Sequence, residues 1–541
     1  MLATAVALYA RAQFGHLAYP LLWQDEGETA MYAQQIRDYG YPRVHGSRNV
    51  VYEFGTNVAQ GVKEGIDAYI GTPWGHFYCA LPGLLWAEGS ADPYVRTWRL
   101  RLPFALAGAA GLGLLLWAVL PVERGRPGRA LAFAALYFLL CATSISLQLH
   151  LRELRYYPLL ALLVAAIGRL HLQRVVFGAL SPARYALAVT PLLVLLWNVF
   201  HPAWAAAVAL LGLECGIRAF RARGPGRRAA LRDLVPLALS AALLAPLFAF
   251  FETFAIAGEL ARELGLSPRL YAENLGRTLV HFLRHELLGP LLVTRIAVLA
   301  VDRGGPGDAR APSRRVADRL SLFALGYALI VALNPLAYER YTVVLSPLLS
   351  LAFLLDAFRL AECLPARLAP PRRRAARAAV AAAAAALVLA SLGVRLPELR
   401  GRLAELRVPY QGPVDFAVLH LRARHARTED LVVATNYENH PLMYYLGSRV
   451  IVGGSLSNIV RDRELVPDVV IPRRRWSRGL DELGRLLEGG VFERHGLRVA
   501  DLHWNNIPAL SRSPLVPDPH RFRTASTGDA SRQLVIHERI R

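Results

Sequence analysis

Long apolar runs separated by two alternating kinds of polar segment organise the first 395 residues. Stretches long enough, or nearly so, to cross a bilayer lie at 102–120, 131–149, 155–173, 185–200, 202–219, 231–251, 285–301, 318–334, 341–361 and 375–395. The opening segment, Met1–Leu22, is poorer, being interrupted by Arg11, Gln13 and His16. No basic flank precedes it, so it reads as the outer end of a first span and not as a cleaved signal peptide. Eleven spans result. Every second loop between them is arginine-rich, as at Arg124–Arg129, Arg218–Arg232, Arg303–Arg319 and Arg359–Arg377. The positive-inside rule places that face in the cytoplasm. The other face then carries the long loop 23–101, the turns at 150–154, 200–202 and 334–340, the loop 252–284 and everything after 396.

Residues 396–541 change character. Short apolar runs at 431–435, 449–452, 468–471 and 496–502 read as strands, with helices at 440–446 and 479–488 between them. The expected architecture is an α-helical polytopic membrane domain of about eleven spans (1–395) followed by an extracytoplasmic α/β domain (396–541).

Composition sharpens this picture. The chain is 54% hydrophobic over 541 residues and carries a formal charge of +21, with Lys63 its single lysine among 62 basic residues. A soluble nucleic-acid binder does not carry repeated apolar runs of membrane length, so the charge reports orientation and nucleic acid is excluded as a partner. The arginine bias is that of a GC-rich genome, which implies the plasma (inner) membrane of a prokaryote. The cysteines (Cys79, Cys141, Cys215, Cys363) are scattered, which argues against structural zinc and disulfide stapling. No glycine-rich phosphate loop follows any expected strand.

The unusual polar residues gather on the outer face. In Trp23-Gln24-Asp25-Glu26-Gly27-Glu28 two adjacent acids sit at the mouth of the bundle, where carboxylates are costly to desolvate. The spacing of Asp25 and Glu28 also matches a capping box for a helix over 27–39, and both roles can coexist. Arg152 and Arg155, flanking Glu153, stand at the N-terminus of a span, where they oppose the helix dipole and approach hydrocarbon. Something anionic compensates them, either a neighbouring acid or a lipid phosphate. Asn334–Tyr341 repeats the pattern, with Arg340 at a helix start between Tyr338 and Tyr341, where an arginine fork matches phosphate oxygens. His201 closes a short outer turn and is a candidate metal ligand beside its plainer role as a turn residue. Residues 436–446 would face an acceptor or pack as a helix start. A carboxylate near arginines and a lipid interface suits attack of an acceptor hydroxyl on a sugar whose leaving group is a phosphate.

These residues resemble the GT-C superfamily of polyprenyl-phosphate-sugar glycosyltransferases, in the branch of protein O-mannosyltransferases and the lipid A aminoarabinose transferase. The matching pieces are Leu22–Glu26 followed by an amphipathic helix, Thr72–Trp74 leading into another to Trp86, Arg96–Pro103 opening a span, Arg152–Pro158 and Arg340–Pro347. The resemblance implies an inverting transfer on the outer face, from a polyprenyl-phosphate sugar to a protein, lipid or glycan acceptor. Asp25 would be the base and Glu26 would assist or orient the acceptor. Arg152, Arg155, Tyr338, Arg340 and Tyr341 would hold the phosphate, and Glu153 would be a second acidic position. Some members bind a divalent metal (magnesium, manganese or zinc), for which Glu153 and His201 are the candidate ligands. Gln24, Gly27 and the insertion 45–70 depart from the family pattern. The rival classes are a transporter or flippase of lipid-linked sugars, which would place charges and helix breaks within the spans, and a polysaccharide ligase or polymerase.

Overall fold

The computed structural model describes residues 1–46, 48–51, 62–63, 65–263, 265–302, 311–334, 339–366, 368–451, 465–476, 479–502 and 520–540. A helix occupies each of the eleven expected segments. They are α1 (Leu2–Phe14), α4 (Pro93–Val119), α5 (Pro127–Thr143), α7 (Tyr156–Val175), α8 (Pro182–Val199), α9 (His201–Arg221), α11 (Val235–Phe250), α14 (Leu288–Val301), α15 (Ala311–Val331), α16 (Leu345–Ala366) and α17 (Pro370–Val394), with α10 (Pro225–Arg232), α12 (Thr253–Glu263) and α13 (Pro268–His285) in the connections. Among the described residues six helices are long and apolar enough to cross a membrane: Pro93–Glu123, Tyr156–Val175, Pro182–Val199, His201–Arg221, Pro225–Phe250 and Pro370–Val394. Pro127–Thr143 and Leu288–Val301 are apolar but shorter. Exposed Leu187, Leu243, Leu299 and Leu389 cover the outside of the bundle, as contact with lipid requires.

The helices pack closely where small residues allow it. A side chain on Gly108 would lie 2.7 Å from the Leu151 carbonyl, and one on Gly111 would lie 2.8 Å from the Leu162 nitrogen, so α4 and α7 touch backbone to backbone. The expected span 131–149 breaks at Ser144. Its hydroxyl accepts from the Leu147 N–H and donates to Glu286 at 2.8 Å, starting a separate short helix, α6 (Ile145–His150).

Above the bundle, α2 (Gln24–Tyr39) and α3 (Gly75–Ala87) occupy the long first loop, with a two-stranded ribbon of β1 (Val62–Lys63) and β2 (Ala68–Tyr69). The later segment contributes α18 (Leu396–Glu405), α19 (Pro413–Arg424), α20 (Asn439–Leu446) and α21 (Leu480–Glu488) around a five-stranded sheet. Its strands are β3 (Val432–Thr435), β4 (Arg449–Val450), β5 (Val469–Ile471), β6 (Phe492–Ala500) and β7 (Gln533–Arg539), in spatial order β4-β3-β5-β7-β6. The three short strands are parallel and the last two pair antiparallel. β7 was not anticipated from the sequence. Alternation along β3 and β5 sends Ala434 and Val470 toward Leu483 of α21, and Val433 and Val469 toward the first loop.

The division at residue 396 is therefore not a division of cores. Tyr32, Val44, Phe77 and Leu100 from the first loop and the start of α4 share one apolar cluster with Val418, Val433, Leu442 and Ile536. Residues 436–446, where described, resolve as buried packing: α20 lies against α2.

Candidate active site

The helix bearing the two acids starts three residues earlier than the capping-box reading implies. Trp23 occupies the N-cap position without a side-chain cap, and Asp25 lies inside the first turn. Neighbouring residues on a helix point about 100° apart, so Asp25 and Glu26 meet different surroundings, whereas Asp25 and Glu28 share a face.

Glu26 is fully buried and saturated. Arg101 of α4 grips both its oxygens, with Nε 2.8 Å from Oε1, and the Leu154 N–H donates to Oε1 at 2.8 Å. Arg101 also donates to the Leu17 and Pro20 carbonyls at 3.1 and 2.7 Å. This pair fixes α2, α4 and the segment before α7 in one geometry. Glu26 is thus spent on orientation and is not placed to touch a reacting group.

Asp25 faces the other way. Its Oδ2 lies 3.3 Å from Arg340 and 3.6 Å from Arg155, and its side chain is 22% exposed where both arginines are 10% exposed. Arg155 also approaches Glu28 Oε2 at 3.2 Å and donates to the Asp25 carbonyl at 3.1 Å. Burial opposes its charge, yet Asp25 and Glu28 hold it firmly protonated. Arg340 is held protonated against burial by Tyr157 and Asp25, and its guanidinium lies 5.2 Å from the Trp23 ring. Burial pushes the Glu28 carboxyl up to about 7, only partly offset by Arg155 and by the Tyr69 hydroxyl that donates to it. Tyr156, Phe200 and Tyr341 form an aromatic floor, with Tyr156 stacked on Phe200 at 4.7 Å and Tyr341 5.4 Å from Phe200.

The structure thus brings Asp25, Arg155, Arg340 and Tyr341 into one cluster and separates the rest. Arg152 turns away, donating to the Gly15 and His16 carbonyls at 2.9 and 2.7 Å, and burial and Arg402 hold its pKa down to about 9. It closes the chain after α1 and is not placed to hold a phosphate. Glu153 is fully buried beside His150, 3.4 Å away, and burial raises its pKa. His201 starts α9 with its ring 6.5 Å from Phe200. Among the described residues, neither Glu153 nor His201 belongs to a group of three side chains able to share a metal ion. Tyr338 lies outside the described residues. Two residues that the sequence offered only as a helix-capping acid, Glu28, and as part of the matching segment Arg96–Pro103, Arg101, contact the cluster directly or fix its helix. The i, i+3 spacing of Asp25 and Glu28 was the available signal for Glu28.

The sheet segment clamps α2. A side chain on Gly27 would lie 2.6 Å from the Pro441 nitrogen, so only glycine lets α2 and α20 approach this closely. Asn439 accepts from Gln24 at 2.8 Å, the Tyr445 hydroxyl accepts from the Leu22 N–H at 3.1 Å, and Asp415 accepts from the Leu21 N–H at 3.1 Å.

This architecture is the GT-C fold. It matches the crystal structure of ArnT from Cupriavidus metallidurans bound to undecaprenyl phosphate over 99% of this chain and 97% of that one, with a TM-score of 0.57 and 15% identity. The apo form of the same protein matches over the same shares at 0.54 and 15%. An oligosaccharyltransferase from Archaeoglobus fulgidus, in complex with zinc and sulfate, matches over 92% of this chain and 72% of that one, at 0.48 and 12% identity. No protein-family model and no curated protein matches the chain.

Proposed function

We propose that the chain is a membrane glycosyltransferase that moves a sugar from a polyprenyl-phosphate donor to an acceptor hydroxyl on the outer face, with inversion. The observation that carries this reading is the partly exposed Asp25 carboxylate set between two buried arginines at 3.3 and 3.6 Å. Arg155 and Arg340 receive the donor phosphate, over a floor of Tyr156, Phe200 and Tyr341 that suits the first isoprene units or the sugar face. The bond between the anomeric carbon and the phosphate oxygen breaks while the acceptor oxygen bonds from the opposite side. The acceptor proton passes to Asp25, and the phosphate leaves with its new charge neutralised by the two guanidinium groups. No protonation of the leaving group is needed. The likeness to a structure holding undecaprenyl phosphate supports the polyprenyl class of donor.

A divalent metal, which the fold family implies for some members, does not fit Glu153 and His201: the first is enclosed with His150 and the second stands apart. No step is routed through one.

The test is sugar transfer in membranes from a panel of radiolabelled polyprenyl-phosphate sugars, by wild type and Asp25→Asn, with donor binding followed in parallel. Transfer lost in the variant while binding survives makes Asp25 catalytic and identifies the sugar. Normal transfer by the variant ends this mechanism. Donor binding by wild type without any transfer favours a transporter.

A further inference from the structure

A second cluster of ionisable side chains lies on the sheet, apart from the arginine site. Glu493 and Glu538 face each other across the antiparallel β6–β7 pair. His495, two residues along β6 from Glu493, projects from the same face. α19 packs over this strand pair and brings His420 one turn before its end, with His425 immediately after the helix.

All of these side chains aim at one carboxylate. His420 Nε2 lies 2.9 Å from Glu538 Oε1, His425 Nε2 lies 2.9 Å from Oε2, and His495 Nε2 lies 3.5 Å from Oε1. The His420 and His495 rings are 5.3 Å apart between centroids. The ligating atoms of His420, His495 and Glu538 fall within 4.8 Å of one another. His495 Nε2 is buried and makes no hydrogen bond; it stands between two carboxylates, 3.3 Å from Glu493 Oε2 and 3.5 Å from Glu538 Oε1. A buried imidazole nitrogen without a hydrogen bond, converging with a second imidazole and a carboxylate oxygen within 4.8 Å, is a donor set that fits a cation.

We propose that His420, His495 and Glu538, with water in the fourth position, bind one divalent transition-metal ion that staples α19 to the β6–β7 edge of the sheet. Zinc is the best chemical match. It takes imidazole nitrogen and carboxylate oxygen in four-coordinate sites and imposes no geometry of its own, so side chains from a helix end and two strands can meet around it. Arg424 holds the cation's place, with Nε 2.9 Å from Glu538 Oε1. Its side chain is 45% exposed and swings into solvent at little cost when the metal arrives. The role is structural. β6 is the edge strand of the sheet, and the metal ties that edge to the helix over it.

The experiment uses the full-length chain, free of any purification tag, in detergent and stripped with a chelator. Zinc is titrated against a chromophoric competitor, and cobalt(II) spectra are recorded in parallel. One zinc per chain is expected, with affinity falling at least about tenfold in His420→Gln and in His495→Gln, and with the visible absorption of a four-coordinate cobalt centre. Asp25→Asn is expected to bind zinc as wild type does, which keeps this result independent of the transferase reading. Circular dichroism and gel filtration establish that the glutamine variants fold. Unchanged zinc affinity in a variant carrying both His420→Gln and His495→Gln, or no uptake by stripped wild type at micromolar zinc, overturns the proposal. Should the variants fail to fold, wild-type cobalt with only the weak spectrum of a six-coordinate ion overturns it equally.

Discussion

The two ends of the helical bundle use the same residue types to opposite effect. At the arginine-rich end, Asp233 is held by Arg174 at 2.8 Å and by Arg218, while Glu214 is held by Arg319 at 2.8 Å and His171 at 2.9 Å. Arg295 grips Asp356 at 2.6 Å. These carboxylates are taken on both oxygens or pinned at close range, and they tie helix ends together. At the end that carries the sheet, Asp25 is approached by two arginines only at 3.3 and 3.6 Å and keeps part of its surface open. The lesson is that contact distance and exposure, more than residue identity, distinguish a lock from a site. A closed pair has nothing left to offer a ligand, whereas loosely shared arginines can transfer their charge to an incoming phosphate.

The comparison can be broken by exchanging its terms. Asp25→Asn is expected to lower transfer by ~10²–10⁴-fold, the range of a lost general base. Its effect on thermal unfolding should be smaller than that of breaking a closed pair, because the two arginines approach it only at 3.3 and 3.6 Å. Asp233→Ala should do the reverse. Removing the acid leaves Arg174 and Arg218 unpaired, and stability falls by about 2–3 kcal/mol. That is less than the ~3–5 of a fully buried pair, because Arg218 is partly exposed. Denaturation in detergent measures it, and the folded fraction retains its rate. Arg340→Lys keeps the charge and loses the planar fork, so donor KM should rise about tenfold with little change in kcat.

The smallest effect concerns Glu28 and is read as a pH profile. With its carboxyl near 7, Glu28 is ionised above that pH and then claims Arg155; below it, the charge on Arg155 is left to Asp25 and the donor phosphate. Donor KM should therefore rise a few-fold as pH increases through about 7, and Glu28→Gln should flatten that limb. Stability follows the same sign. The folded state holds a proton on Glu28 between its ordinary value of 4.5 and about 7, so this group's contribution declines as pH rises through that window. Persistence of the KM limb in Glu28→Gln would detach Glu28 from the phosphate site.

Much of the architecture was legible because a lipid environment leaves few options. Spans must be apolar over their whole length, and charges at their ends mark orientation or chemistry. The same rule exposed Arg155 and Arg340. What it could not separate was Asp25 from Glu26, or Arg155 from Arg152. Those pairs differ only in which side of a turn they face, and that depends on a helix starting at Gln24 and on Arg101, about 75 positions away from Glu26. The break at Ser144 was hidden because its partner, Glu286, is equally remote. β7 escaped because its apolar triplet Leu534–Ile536 is short and its place between β5 and β6 is revealed only by the fold. The shared core of loop and sheet was illegible for the same reason: each half reads as a plausible unit, and only their packing shows that neither is complete.

The contacts clamping α2 have a consequence in time. Leu21 to Asp415, Gln24 to Asn439 and Leu22 to Tyr445 join residues 394, 415 and 423 positions apart. Ribosomes deliver the N-terminus first, so Asp25 emerges at the start of synthesis and waits for the last quarter of the chain before its helix is fastened. A nascent or truncated polypeptide ending before Pro413 carries Asp25, Arg155 and Arg340 but lacks the part that holds Asp25 in register. Order of birth thus acts as a safety catch: the Asp25 cluster cannot be set until the chain is finished.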